Sequence, residues 1–269
     1  MAYRPVKAQE RPGTPDYAEM MSRKFSLKAR TNWPMQAIIL AGGRGERLRP
    51  FTEDRPKPMV EVLGVPILAY QLHWLQTQGV TDVVMACGYR HEVIIDYFGT
   101  GEKWGLRIDY AVEGEPLGRG GAIRHAYGRL TASPDLIVAT NGDVMTNLQL
   151  APVLEHHRDH ANLATVVLTP YVSTFGLVET SDDDRVIAFR EKPTLPYWIN
   201  AGVYLLSRAA VQRLPEVGDH ERTTFPELAV DRTLGAYKST AFWRSVDTVK
   251  DLSEISKEFE RRLLTAFLA

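Results

Sequence analysis

The sequence is poor in cysteine, in net charge and in long apolar runs. Cys87 is the single cysteine among 269 residues, so no disulfide can form within the chain and a buried, unreactive thiol is expected. The formal net charge is −1, so there is no excess of positive charge that would indicate binding to nucleic acid or to an anionic membrane. No apolar run approaches the roughly 20 residues needed to span a bilayer. One cysteine and no secretory signal predict a cytoplasmic protein.

Composition nevertheless allows a full hydrophobic core, because 44% of the residues are hydrophobic.

Residues 1–34 are rich in Pro, Arg, Lys and Met and show no periodicity, so we predict a flexible extension that is dispensable for folding. Residues 35–269 are predicted to form a single domain. Its parts are a first half over about 35–145, a second half over about 146–247 and a C-terminal helix over about 248–269.

Strands and helices alternate after the extension. The predicted strands are 36–41, 82–87, 106–112 and 135–140, and the predicted helices are 66–78, 90–98 and 119–129. This alternation predicts an α/β fold with a mainly parallel central sheet and helices on both faces. Beyond Asp143, short strands at 163–169, 175–179, 186–190, 202–206 and 237–243 predict a small β-rich part.

The C-terminal helix carries an apolar stripe of Leu252, Ile255, Phe259 and Leu263. Docking on the protein's own core is the expected role of this stripe. A subunit contact in a homo-oligomer and a membrane surface remain as alternatives, and the glutamates on the polar face disfavour the membrane.

The segment from Leu40 to Pro50, LAGGRGERLRP, is the most informative one, and RPKP follows it at 55–58. It comes directly after an apolar strand. Its glycines let backbone N–H groups approach a ligand closely, while Arg47 and Lys57 add positive charge. Backbone donors combined with cations indicate a polyphosphate site. A Gly-rich turn with a solvated basic rim is the alternative.

The order of these parts excludes two other phosphate loops. A P-loop would end in Gly-Lys-Ser/Thr, which is absent here. A dinucleotide loop opens directly into a helix, whereas Pro56 and Pro58 prevent a helix at this point. The segment resembles the signature of the sugar-1-phosphate nucleotidyltransferases, Gly-Gly-x-Gly-x-Arg-Leu-x-Pro followed by Pro-Lys-Pro. The resemblance covers about residues 36–255 and implies a Rossmann-like nucleotidyltransferase fold of the glycosyltransferase-A type.

The resemblance also implies roles for individual residues. Arg47 and Lys57 would be catalytic. Nucleotide binding would fall to Leu40, Ala41, Gly42, Gly43, Gly45, Glu115, Gly118 and Gly120. The sugar phosphate would be bound by Asn141, Gly176, Glu191, Lys192, Asn200 and Gly202. On this basis 35–145 is the nucleotide-binding half and 146–247 the sugar-binding half.

A metal site is expected where Asp143 ends an apolar strand, since ligands bind beyond the carboxyl ends of strands in open α/β sheets. Asp143 could hold Mg²⁺ against phosphates, or simply cap the next turn. Asp247 precedes the last helix and could be its N-cap. In the family that the chain resembles, one Asp in a Gly-Asp pair and one in an Asp-Thr segment bind the metal, so Asp143 and Asp247 are predicted to share one Mg²⁺.

Glu115 lies in the segment EGEPLGRGG at 113–121, which resembles the base-recognition loop of the family. A carboxylate can accept hydrogen bonds from two guanine donors, so Glu115 favours GTP, although it could be solvated while backbone groups read the base. Arg119 and Glu46 depart from the family pattern, which usually has a small residue at each place.

These observations predict an enzyme that transfers a nucleotidyl group from a nucleoside triphosphate, GTP favoured, to a sugar 1-phosphate and releases pyrophosphate. Transfer from UTP or dTTP, transfer to phosphocholine or a cyclitol phosphate, and an inactive nucleotide-sugar-binding homologue remain as alternatives.

Overall fold

The computed structural model describes residues 35–268, with side chains described as far as Arg261. The predicted extension over 1–34 and the side chain of Leu263 lie outside the described residues. No helix within the described part of the chain is long and apolar enough to cross a membrane.

We number the strands and α-helices in chain order. The strands are β1 (Met35–Leu40), β2 (Glu61–Val62), β3 (Val65–Pro66), β4 (Val80–Cys87), β5 (Arg107–Val112), β6 (Leu136–Asn141), β7 (Val144–Thr146), β8 (Ala164–Val172), β9 (Leu177–Thr180), β10 (Val186–Arg190), β11 (Thr194–Ser207), β12 (Leu234–Lys238) and β13 (Trp243–Ser245). The helices are α1 (Ile67–Thr77), α2 (His91–Phe98), α3 (Gly118–Tyr127), α4 (Leu150–Asp159), α5 (Arg208–Gln212), α6 (Thr224–Val230) and α7 (Val249–Leu268).

The central sheet has seven strands in the order β12-β8-β11-β6-β1-β4-β5. The pairs β1·β4, β1·β6, β4·β5 and β12·β8 are parallel, whereas β11 runs antiparallel to both β6 and β8. The predicted mainly parallel α/β sheet is therefore confirmed. Because β1 and β6 are parallel neighbours, the loops that follow Leu40 and Asn141 lie side by side.

Two hydrophobic clusters cover the two faces of this sheet, as the alternation of side chains along a strand requires. On one face, Ile39 of β1 packs in a cluster with residues of α1, α2 and α4. On the other face, Ile38 packs in a cluster with residues of α3, α5 and α6. The prediction of helices on both faces is confirmed.

Helix α7 docks on the protein's own core, which was the expected role of its apolar stripe. Leu252 and Ile255 are buried in a third cluster with Leu48 and Val246, and Phe259 is packed against that cluster. The third cluster therefore joins the C-terminal helix to the segment that follows the glycine-rich loop.

The predicted strand at 237–243 is wrong, because the chain forms two strands there. β12 ends at Lys238 on the edge of the central sheet, and β13 begins at Trp243 in a separate ladder with β7. Between them, Ala241 N–H donates to Ser239 Oγ at 3.1 Å, which turns the chain. Within the predicted β-rich part, β8 and β11 belong to the central sheet, and β9 and β10 form a hairpin of their own.

Candidate active site

The glycine-rich loop leaves the carboxyl end of β1 and closes back on the segment that carries Lys57. Lys57 N–H donates to Gly43 C=O at 3.2 Å, and Thr52 Oγ1 donates to Gly45 C=O at 2.9 Å. Gly45 has a φ of 64°, and a Cβ there would lie 2.8 Å from Lys57 Cβ. Only glycine suits this position, because the backbone is left-handed and Lys57 packs directly against it.

Lys57 lies at the centre of a charge cluster. Its Nζ donates one hydrogen bond to Asp143 Oδ2 and another to Asp247 Oδ1 at 2.7 Å. The Lys57 side chain is 13% exposed, against 21% for Asp143 and 33% for Asp247. The residues predicted as a catalytic lysine and two metal ligands thus converge on one point, although they are up to 190 positions apart in the sequence.

A short antiparallel ladder explains this convergence. Ser245 of β13 pairs with Val144 of β7, and Val246 N–H donates to Asp143 C=O at 3.1 Å. Asp143 and Asp247 therefore flank the same end of the ladder. The sequence contains both aspartates in the expected order, but this pairing was not predicted from it.

The alternative of Asp247 as a helix cap is not supported by its contacts. Asp251 Oδ2 accepts hydrogen bonds from Asp247 N–H at 3.1 Å and Thr248 N–H at 2.8 Å, and Thr248 Oγ1 accepts from Asp251 N–H at 3.2 Å. Thr248 and Asp251 therefore form the capping box of α7. The Asp247 carboxylate is left to face Lys57 and accepts from Ser245 Oγ at 2.8 Å.

Asp247 also pairs with Arg47, whose Nη2 lies 2.8 Å from Asp247 Oδ1. Burial opposes ionisation of Asp247, but hydrogen bonds from Lys57 and Ser245 and the charges of Lys57 and Arg47 outweigh it and lower its pKa. The Arg47 side chain is 72% exposed, so its guanidinium can reach a ligand in front of the loop. Glu46, the unexpected carboxylate in this loop, is exposed.

The predicted base loop has a different arrangement from the one expected. Glu115 is exposed, whereas Glu113 is partly buried at the end of β5. A Cβ built on Gly42 would lie 3.8 Å from Glu113 Oε1, so Glu113 is the carboxylate beside the glycine-rich loop. Burial raises the pKa of Glu113, and a hydrogen bond from Leu117 N–H partly offsets this.

The partial burial of Glu113 beside the loop was not predicted, although its place directly after an apolar strand was a usable signal. A role of Glu115 at the base stays a prediction. The buried thiol of Cys87 lies near Glu113. Burial, and to a smaller extent the charge of Glu113, raises the pKa of Cys87 to about 12. The expectation of a buried, unreactive thiol at Cys87 agrees with this environment.

Gly118 and Gly120 have a packing role that was not foreseen. A Cβ at either would lie less than 3 Å from the backbone of Gly218. Gly218 C=O accepts the Gly120 N–H at 2.8 Å, and Gly218 N–H donates to Leu117 C=O at 2.8 Å. These contacts fasten the start of α3 to the 215–221 segment, and a role of both glycines at the nucleotide stays a prediction.

The predicted sugar-phosphate residues fall into two groups. Gly176 and Glu191 meet at the β9–β10 hairpin, where a Cβ on Gly176 would lie 3.0 Å from Glu191 Oε2, and the exposed Lys192 follows directly. Asn141 at the end of β6 meets Gly202 at a bend within β11, where a Cβ on Gly202 would lie 2.6 Å from Asn141 Nδ2. Asn200 is at the same bend of β11.

Comparison with known proteins decides the family. The profile of the nucleotidyl transferase family matches residues 36–262. The chain belongs to the nucleotidyl transferase family. The resemblance identified from the motifs is thereby confirmed.

Several curated relatives are guanylyltransferases. The chain is 35% identical to a mannose-1-phosphate guanylyltransferase of Mycobacterium tuberculosis over 84% of its own length and 65% of the relative's. It is 34% identical to a D-glycero-alpha-D-manno-heptose 1-phosphate guanylyltransferase of Aneurinibacillus thermoaerophilus over 84% of this chain and 99% of that protein. The chain therefore spans about two thirds of the mannose enzyme and nearly all of the heptose enzyme.

Solved structures agree with the fold. HddC from Yersinia pseudotuberculosis matches with a TM-score of 0.66 and 26% identity, over 84% of this chain and 99% of that one. The same protein has been solved in complex with GMP-PN, with the same TM-score and coverage.

Enzymes of this family generally use a divalent metal ion, and the residues of this site fit one. Asp143 and Asp247 each accept a hydrogen bond from the Lys57 ammonium, so an oxygen of each carboxylate lies close to one common point. The described residues contain no cluster of three or more metal-ligating side chains. A pair of carboxylates suits Mg²⁺, which usually takes one or two from the protein and fills its remaining positions with water and substrate phosphates.

Proposed function

We propose that this protein transfers a guanylyl group from GTP to a sugar 1-phosphate, which gives a GDP-sugar and pyrophosphate. The observation that carries this proposal is the contact of Lys57 with Asp143 and Asp247 beside the glycine-rich loop. Family membership and the guanylyltransferases among the relatives support the reaction class and the base.

In the proposed reaction, a phosphate oxygen of the sugar 1-phosphate attacks the α-phosphorus of GTP. The bond from that phosphorus to the bridging oxygen breaks, and pyrophosphate leaves on the opposite side. Such a transfer needs positioning and charge stabilisation and no protein nucleophile. Loop N–H groups and Arg47 would hold the β- and γ-phosphates, and Lys57 would stabilise the charge that develops at the α-phosphate.

The charge balance of the site supports a metal requirement. Lys57 and Arg47 supply two positive charges, which Asp143 and Asp247 already neutralise. A triphosphate therefore meets little uncompensated positive charge from these four residues. Asp143 and Asp247 would hold Mg²⁺, and that ion, when bound, would neutralise phosphate charge and favour departure of pyrophosphate.

Guanine recognition is assigned to Glu113 in this proposal, in place of the sequence-based choice of Glu115. Glu113 is partly buried beside Gly42, so a base that packs against the loop would meet its carboxylate. A carboxylate there accepts from the ring N–H and the exocyclic amine of guanine. The same carboxylate would repel the carbonyl oxygens of uracil and thymine.

The sugar 1-phosphate is expected between the end of β6, the bend within β11 and the β9–β10 hairpin. Lys192 would hold its phosphate, and Glu191 would accept hydrogen bonds from sugar hydroxyls. Asn141 supports a polar contact here, because its Oδ1 is buried without a hydrogen-bond partner and could accept from a ligand. With these substrates the cytoplasm remains the expected location of the activity.

The test measures pyrophosphate release by the purified protein with each of GTP, UTP, dTTP, CTP and ATP. Each nucleotide is combined with mannose 1-phosphate, a manno-heptose 1-phosphate, glucose 1-phosphate and phosphocholine, with and without Mg²⁺. The proposal expects GTP to be the best nucleotide, a sugar 1-phosphate to be required, and turnover to be lost when EDTA replaces Mg²⁺.

Two results would contradict the proposal in different ways. Best use of UTP or dTTP would reject guanylyl transfer but keep the reaction class. Absence of pyrophosphate release with every pair, in a protein that still binds GTP, would favour the inactive nucleotide-sugar-binding homologue.

A further inference from the structure

Arg119 joins helix α3 to the 215–221 segment through two carboxylates. Its Nε lies 3.1 Å from Asp219 Oδ1, and its Nη2 lies 2.7 Å from Glu221 Oε2. Arg119 N–H also donates to Asp219 Oδ1 at 3.2 Å. The side chains are only 28–40% exposed, so the contacts are partly shielded from solvent.

The second oxygen of Glu221 points to β11. Glu221 Oε1 accepts from Asn200 Nδ2 at 2.8 Å and from Tyr204 Oη at 3.2 Å. Asn200 Nδ2 also donates to Tyr204 Oη at 2.9 Å. Glu221 is therefore shared between an arginine of α3 and an asparagine at the bend within β11.

These contacts use both N–H groups of the Asn200 amide. Asn200 Oδ1 accepts from Gly202 N–H at 2.8 Å, which closes a tight bend. At this bend, Gly202 has a φ of 68° and packs against the Asn141 amide. Asn200 thus holds the backbone beside Asn141, and it has no spare N–H for a sugar hydroxyl.

We infer that Arg119 and Glu221 form a positioning pair for the sugar 1-phosphate. The pair fixes the Asn200–Gly202 bend, and the bend sets the orientation of Asn141 in the sugar-phosphate site. Arg119 belongs to the segment that resembles the base loop, but its guanidinium is used by Asp219 and Glu221, so we expect the pair to act on the sugar phosphate and not on GTP. This inference rests on the proposed function. It adds two residues that determine the affinity for the second substrate, the sugar 1-phosphate.

The test compares steady-state KM values for GTP and mannose 1-phosphate. Glu221→Gln keeps an acceptor for Asn200 and Tyr204 but removes the charge that pairs with Arg119. We expect KM for mannose 1-phosphate to rise about tenfold, as for a coupled network contact, and KM for GTP to stay within about twofold. Arg119→Ala should act in the same direction, and Arg119→Lys should restore most of the affinity.

Asp219→Asn is the matched control. It removes the other carboxylate of Arg119 but leaves the Glu221–Asn200 contact in place. The ratio of the two KM values should therefore equal that of the wild type. Glu221→Gln combined with Arg119→Ala should cost little more than either change alone, because both disable the same pair.

Three results would overturn the inference while turnover of the wild type stands. They are equal rises of both KM values in Glu221→Gln, an Asp219→Asn effect as large as that of Glu221→Gln, and an Arg119→Lys variant as impaired as Arg119→Ala. The shifts in melting temperature caused by GTP alone and by mannose 1-phosphate alone distinguish a failure of this inference from a failure of the proposed function. A wild type stabilised by neither ligand would reject the proposed function together with this inference.

Discussion

The two halves of the molecule present their predicted site residues in different ways. In the half predicted to bind the nucleotide, Lys57 is 13% exposed and is held by Asp143 and Asp247. In the half predicted to bind the sugar, Phe175 just before β9 is 78% exposed and Phe189 of β10 is 65% exposed. Glu191 and Lys192, which follow the β9–β10 hairpin, are also exposed.

This difference predicts different kinetic roles. Charges fixed by contacts with each other keep their positions before substrate arrives, and this preorganisation favours stabilisation of the transition state. Exposed residues are positioned chiefly by the substrate that they bind. Changes near Lys57 should therefore act mainly on kcat, and changes at Lys192 mainly on KM for the sugar phosphate.

Lys57→Ala should have the largest effect, with kcat about 10²–10⁴-fold lower, because it removes a preorganised charge at the reacting phosphate. The melting temperature should fall by only about 2–4 °C if the ion pairs contribute about 1 kcal/mol. Arg55→Ala is the matched control, since Arg55 pairs with Asp54 and Glu61 at the surface. Unchanged kcat in Lys57→Ala would remove Lys57 from the mechanism.

Asp143→Asn and Asp247→Asn should each lower kcat by about 10²-fold, on the scale of losing one electrostatic contact. Each should also raise the Mg²⁺ concentration that gives half-maximal rate. The double variant should be far less impaired than the product of the two effects, because residues that act as a unit are not additive. Metal titrations of the four proteins check this, and fully additive losses would argue against one shared ion.

The sequence was sufficient to predict the glycine-rich loop, the alternation of strands and helices, and the order of Asp143 and Asp247. The first two predictions rest on local patterns of glycine, proline and apolar residues, whereas the choice of Asp143 and Asp247 was implied by the family resemblance. The convergence of the two aspartates on Lys57 depends on the β7–β13 ladder, which pairs residues about 100 positions apart. No local pattern specifies such a pairing, and the same limit explains the wrong strand at 237–243.

In the base loop, too, local sequence patterns did not predict the tertiary contacts, although the residues concerned are close together in the sequence. Glu113 and Glu115 are two residues apart, and only the position of Glu113 directly after an apolar strand distinguishes the carboxylate that is buried beside Gly42. The link from Arg119 through Glu221 to Asn200 was equally invisible, because it joins three separate elements of the fold. Arg119 could only be noted as a departure from the family pattern.

Glu113→Gln should weaken the preference for GTP over UTP by about 5–100-fold, which corresponds to about 1–3 kcal/mol for a lost bidentate base contact. The amide places a donor near the guanine N–H groups while the size of the side chain is kept. Glu115→Gln is the matched control and should leave the preference unchanged. Ratios of kcat/KM for the two nucleotides measure the effect, and a larger change in Glu115→Gln would return base reading to Glu115.

His220, on the 215–221 segment, should affect folding stability alone and leave turnover unchanged. Its ring is buried against Tyr204 and Phe225, and both ring nitrogens have no hydrogen-bond partner. Burial lowers the pKa of His220 to about 4. The unfolded chain, with a pKa near 6.5, therefore takes up a proton that the folded protein excludes as the pH falls below about 6.5.

Folding stability should consequently decrease toward acid pH, and His220 should contribute about 2 kcal/mol of that loss between pH 7.5 and pH 5. His220→Leu removes the titrating group without removing a hydrogen bond. The variant should be close to the wild type in stability at pH 7.5 and more stable than it at pH 5. Urea unfolding at both pH values measures the difference. Parallel losses in the two proteins would show that other groups, such as the buried His157, cause the acid sensitivity.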